Sequence, residues 1–191
     1  MTPRSRTHDA LIALGANLSS DLGGPAQTLA AAIARLPAVG LRVSAVSRFF
    51  ETPCFPAGAG PDYVNAALRV RTELGPQAVL DALHGIEADL GRIREQRWGQ
   101  RVIDLDLIAH GDRILPDLAT FARWRDLPAE TQRTATPDSL ILPHPRLQDR
   151  AFVLVPLRDI APDWCHPVSN DTVLEMLANL PHEDRAAVVP L

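Results

Sequence analysis

Asp104 and Asp106 stand two residues apart in the run Arg101-Val-Ile-Asp-Leu-Asp-Leu-Ile. In an extended segment alternate side chains share a face, so both carboxylates project to one side while Ile103, Leu105 and Leu107 point to the other. Their Cα atoms then lie about 6.6 Å apart. Such carboxylates can share a pair of hard cations about 3.5 to 4 Å apart, and magnesium suits an all-oxygen site. A solvated polar strand face is the plain alternative for this spacing taken alone. Directly upstream, Gly91 to Arg101 carries four arginines, Arg92, Arg94, Arg97 and Arg101, opposed only by Glu95. That density repels itself unless an anion sits among it, and guanidinium forks match phosphate oxygens. Paired acids for a metal beside clustered arginines are the parts of a phosphoryl-transfer site. Read without the aspartates, the same segment is an exposed charged loop with Trp98 as a packing anchor.

Two further features fall elsewhere in the chain. Tyr63 and Asn65 share the polar side of a second alternating segment, offering a ring that can stack and an amide that can read donor and acceptor edges. A flat heterocycle fits that pair, although either residue taken alone is more often structural. His144 is held between Pro143 and Pro145, which places it rigidly for structure or for chemistry. The other five histidines show no metal-ligand spacing.

The elements that must position these residues follow from periodicity. Ala10 to Leu14 reads as a buried strand and Pro25 to Leu36 as a helix with an apolar repeat. Leu41 to Phe50 reads as a strand with one wet face, and Thr52 to Pro61 breaks structure. Tyr63 to Thr72 alternates, with Val64, Ala66, Leu68 and Val70 on one side. A second helix starts at Gly75-Pro76 and stops at Gly91, and Val102 to Ala109 supplies a fourth strand. The order β-α-β-β-α-β predicts an α+β fold, a ferredoxin-like two-layer sandwich with helices on one face of an antiparallel sheet and the other face free. Gly111 to Leu140 loses periodicity and reads as a lid or inserted loop. Leu140 to Pro145 and Ala151 to Leu157 are apolar again, and Asp171 to Leu180 is a short terminal helix.

Composition bounds the chemistry. The 191 residues suit one domain spanning 1–191, with the insertion at 111–140. All nineteen Lys+Arg side chains are arginine. A Walker-type loop and a Schiff-base mechanism, which need lysine, are both excluded. A net charge of −4 argues against a global field for nucleic acid. Two cysteines make no disulfide framework, and no segment has the length and apolarity of a signal peptide or membrane span. The expectation is a cytoplasmic protein with no membrane, nucleic-acid or obligate protein partner.

These residues together resemble the 6-hydroxymethyl-7,8-dihydropterin pyrophosphokinase family of folate biosynthesis. The resemblance rests on Leu14-Gly-Ala-Asn17, Glu51-Thr-Pro53, Asp62-Tyr-Val-Asn65, Ile86-Glu87 and Gly91-Arg-Ile-Arg94. It continues through Arg97-Trp-Gly-Gln-Arg101, Asp104-Leu-Asp106, Leu142-Pro-His144 and Arg150-Ala-Phe-Val-Leu. It implies that Asp104 and Asp106 hold two Mg²⁺ ions on the phosphates of ATP, with Arg92 and Arg101 as catalytic arginines. It implies a pterin between Tyr63 and Phe152, its edge bonded by Asn65 and Thr52, with Trp98 closing over both substrates. Arg94, His144 and Arg150 would contact the nucleotide. The chain departs from the family pattern at Ala16, Gln100, His84 and Ser139, and Arg123, Arg125 or Arg133 of the insertion would restore a charge lacking at Ser139.

Two rivals have distinct signatures. An RNA-binding module of the same fold needs aromatics on its open sheet and a positive surface. A metal-dependent nucleotide hydrolase would use the same acids and arginines with water as acceptor.

Overall fold

A computed structural model of the chain describes residues 7–54, 60–91, 102–128, 130–131 and 135–191. The first apolar run forms β1 (His8–Ala16), an interior strand of the sheet. Gly24 and Pro25 open α1 (Pro25–Arg35), and Gly75 and Pro76 open α2 (Pro76–Asp89). In both, proline occupies the first helical position, where its missing N–H has no intrahelical partner to lose. Between them lie β2 (Arg42–Val46), β3 (Phe50–Thr52) and β4 (Tyr63–Thr72). The strand expected over Leu41 to Phe50 is therefore two strands. They part at Ser47, whose backbone N–H donates to the Ala67 carbonyl while its hydroxyl accepts the Ala67 N–H. β5 (Asp104–His110) follows α2.

Every pairing is antiparallel, in the order β5–β1–β4–β3–β6, with β2 also along β4 and β6 (Val189–Pro190) supplied by the C-terminal segment. This is the α+β, ferredoxin-like architecture that the order of elements predicts. One face packs Ile12, Leu14, Leu68 and Leu105 against Leu29 of α1, Leu36 in the turn that follows it, and Val79 and Leu83 of α2.

The opposite face differs from the expectation that it is free. Part of it is covered by α4 (Ala151–Ile160) and α5 (Val173–Ala178), where Leu154, Leu157 and Met176 bury Leu11, Ala67 and Ile108. The run Ala151 to Leu157 is too apolar to remain in water, and the sheet is the surface that receives it. The predicted insertion also contains order, in α3 (Leu118–Arg125), capped by the Asp117 carboxylate accepting the Thr120 N–H at 2.9 Å. Phe121 anchors it, fully buried with its ring centre 5.6 Å from that of His166. A last short helix, α6 (His182–Ala186), precedes β6. No helix among the described residues is long and apolar enough to cross a membrane.

Candidate active site

Alternation along β5 sends Leu105 and Leu107 into the core and leaves Asp104 and Asp106 half-buried on the face that carries α4. The backbone between the acids is held from below: the Leu105 N–H donates at 2.7 Å to Oε1 of Glu87, an α2 carboxylate that is 1% exposed. Across the sheet, Asp104 pairs with Gly15 and Asp106 with Ala13 of β1, and these in turn pair with Asn65 and Ala67 of β4. Small residues thus separate the acids from the amide. A Cβ on Gly15 would stand 3.0 Å from the Asn65 Oδ1, so glycine lets that amide lie over the strand. Asn65 is buried, and its Nδ2 donates to the Thr52 hydroxyl at 2.7 Å. Thr52 pairs in turn with Tyr63.

The other wall comes from the segment leading into α4. The His144 backbone N–H donates to the Ile108 carbonyl at 2.8 Å, which ties the Pro-His-Pro turn to the edge strand β5. His144 Nδ1 accepts the Arg146 backbone N–H at 3.1 Å, so a neutral ring carries its proton on Nε2. Burial, and then the positive charge of Arg150, push His144 down to about 3, and the Asp104 carboxylate only partly opposes them. The ring is therefore neutral at physiological pH.

Arg150, immediately before α4, is pressed below the ordinary arginine value by burial, against which Asp106 and then Asp104 act among its neighbours. Its guanidinium carbon lies 5.7 Å from the centre of the Phe152 ring, which is 42% exposed in the first turn of α4. A planar cation that feels the charge of two acids and stands beside an exposed ring is a setting for a polyanion carrying an aromatic group.

The structure thus brings Asp104, Asp106, Asn65, Thr52, Tyr63, His144, Arg150 and Phe152 to one side of one sheet. Arg92, Arg94, Trp98 and Arg101 lie outside the described residues, as does Arg133. Arg125 engages Asp126 at 2.7 Å, and its carbonyl accepts a bond from Arg146. Sequence reasoning gave no role to Gly15 or Glu87. Glu87 had a readable signal, a lone acid between Leu83 and Leu90 on an apolar helix stripe. Among the described residues, no three His, Cys, Asp or Glu side chains converge as a metal cage. Two half-buried carboxylates, with water and phosphate completing the shell, are a donor set that fits Mg²⁺ bound with a nucleotide.

Residues 11–162 match the family described as 7,8-dihydro-6-hydroxymethylpterin-pyrophosphokinase. The chain belongs to that family. A Synechocystis 2-amino-4-hydroxy-6-hydroxymethyldihydropteridine pyrophosphokinase is 37% identical, covering 96% of this chain and 80% of the relative. The Methylorubrum extorquens protein of the same name is 39% identical over 85% of this chain and 90% of its own length. The fold of this pyrophosphokinase also superimposes on the crystal structure of wild-type Plasmodium falciparum HPPK-DHPS. There the TM-score is 0.63 at 15% identity, over 91% of this chain and 44% of that longer one. The family places this pyrophosphokinase in folate biosynthesis.

Proposed function

We propose that this chain transfers the terminal pyrophosphate of ATP to the hydroxymethyl group of 6-hydroxymethyl-7,8-dihydropterin. The hydroxymethyl oxygen attacks the β-phosphorus in line. A new O–P bond forms, the bond from the β-phosphorus to the oxygen shared with the α-phosphate breaks, the hydroxyl proton is lost, and AMP leaves. Asp104 and Asp106 would hold Mg²⁺, which supplies charge neutralisation on the phosphate oxygens when bound.

The observation that carries this reading is the placement of two acids, a half-buried arginine and a neutral histidine on the same face as a buried amide one strand away from the acids. Asn65, fixed by Thr52, orients the pterin edge, and Tyr63 and Phe152 supply rings for it to lie between. Arg150 binds phosphate oxygens, and His144 Nε2 donates to one without adding charge. Arg92 and Arg101 neutralise charge developing in transfer, while Arg94 and Trp98 hold the nucleotide and close the site. Both cysteines are free thiols, in keeping with a cytoplasmic enzyme.

The test is incubation with ATP, Mg²⁺ and the reduced pterin, followed by product analysis. AMP and pyrophosphorylated pterin in equal amounts, formed only when the pterin is present, are the expected result. ADP, or turnover without pterin, would point to the hydrolase instead.

A further inference from the structure

Beside α4, the structure holds another cavity, of about 340 Å³, that shares no residue with the acid and arginine site. Its floor is apolar, built from Phe50, Val155 and Leu177, and its rim carries Arg48, Arg158 and Arg185. No carboxylate side chain of the described residues lines it. Arg48 is already matched: its Nη2 lies 2.9 Å from the Asp159 carboxylate, and its guanidinium carbon lies 5.2 Å from the centre of the Phe50 ring. Arg158 and Arg185 have no ion-pair partner among the described residues. Arg185 Nε is buried and has no hydrogen-bond acceptor among them. A buried donor left unmatched is costly, and an acceptor oxygen brought by a ligand removes that cost.

The wall formed by Leu177 and Arg185 lies beyond residues 11–162, the part of the chain that matches the family. Size limits the occupant. Pockets for small molecules run from about 300 to 1,000 Å³, so this one takes little more than a single ring with its substituent.

We propose that this cavity is a binding site for a small organic anion, a phosphate or carboxylate carried on an aromatic ring. The ring lies on Phe50, Val155 and Leu177, and the anionic oxygens sit between Arg158 and Arg185, one of them accepting the Arg185 Nε–H. Guanidinium forks recognise both oxyanions, so the charge requirement is common to the two sources.

Phenyl phosphate and benzoate are the probes, titrated into the full chain without ATP or pterin while backbone amides are followed by NMR. Saturable shifts at Leu177 and Val188, with a dissociation constant of about 1 mM or below for at least one probe, are expected. The tighter of the two names the anion. Phenol and inorganic phosphate, each lacking half of the recognition, are expected to bind at least about tenfold more weakly. Arg158→Ala, a change at an exposed side chain, should weaken the better probe by about fivefold or more. Absence of saturable shifts, shifts confined to the neighbourhood of Asp104 and Arg150, or unchanged affinity in Arg158→Ala would each overturn the proposal. Because neither substrate is present, these outcomes are independent of the transfer reaction.

Discussion

The Leu105 N–H donates to the Glu87 carboxylate at 2.7 Å, so a buried acid on α2 fixes the one residue that lies between Asp104 and Asp106. A buried acceptor cannot be removed without leaving its donor unmatched, at a cost of about 1–3 kcal/mol. Glu87→Ala is therefore expected to lower stability by that amount and to reduce kcat more than it raises the pterin KM. Glu87→Gln keeps an acceptor oxygen and should recover part of both. Urea melts with steady-state kinetics check this, and an unchanged kcat in Glu87→Ala would refute it.

Asp104 and Asp106 lie off the core face, so their carboxylates can be replaced without opening a cavity. Asp104→Asn and Asp106→Asn should each cut product formation by about a hundredfold or more while leaving the melting temperature close to that of the parent chain. Retained activity in the double variant would contradict their assignment to the metal.

A methyl group on Gly15 meets the Asn65 amide oxygen at 3.0 Å, and the amide must give way by a few tenths of an ångström. Gly15→Ala should raise the pterin KM by about fivefold, corresponding to roughly 1 kcal/mol. The ATP KM should stay unchanged. An equal rise in both constants would show that the strand, rather than the amide, had moved.

His166 is buried between Phe121 and Trp164, and its Nδ1 accepts the Val168 and Ser169 backbone N–H groups. Burial lowers its pKa from 6.5, with Asp171 opposing the shift and Arg125 adding to it. As pH falls below 6.5 the unfolded chain takes up a proton that the folded chain refuses. The stability contribution is thus complete above pH 6.5 and is lost as pH falls toward the lowered folded value. In urea melts across this window, His166→Phe should show a shallower loss than the parent chain. Identical slopes would exclude His166 as a source of acid sensitivity.

Much of this was legible in the chain. Tyr63 to Thr72 alternates cleanly because one face is sealed under α1 and α2, and β4 has those same limits. Asp104 and Asp106 were readable for the same reason, since period two forces them to one side. The covering of the second face was harder to read. The run Ala151 to Leu157 announces burial without saying against what, and its partners, Leu11, Ala67 and Ile108, come from three separate strands. The order within the insertion was hidden because Phe121 finds its packing partner in His166, forty-five residues later, and no local repeat records such a contact. Gly15 carried no chemistry of its own to notice; its role appears only when Asn65 is seen to lie beside it.

The small residues of β1 have a geometric consequence. Neighbouring strands lie about 4.8 Å apart, so Asp104 and Asn65, one on each side of Gly15, stand on backbones separated by two such steps, about 10 Å. That interval is close to the span of a fused two-ring heterocycle with its one-carbon arm. In the proposed reaction the hydrogen-bonded ladder would therefore work as a ruler: a pterin gripped by its far edge at the amide would have its alcohol delivered to the acids across a spacing set by the backbone.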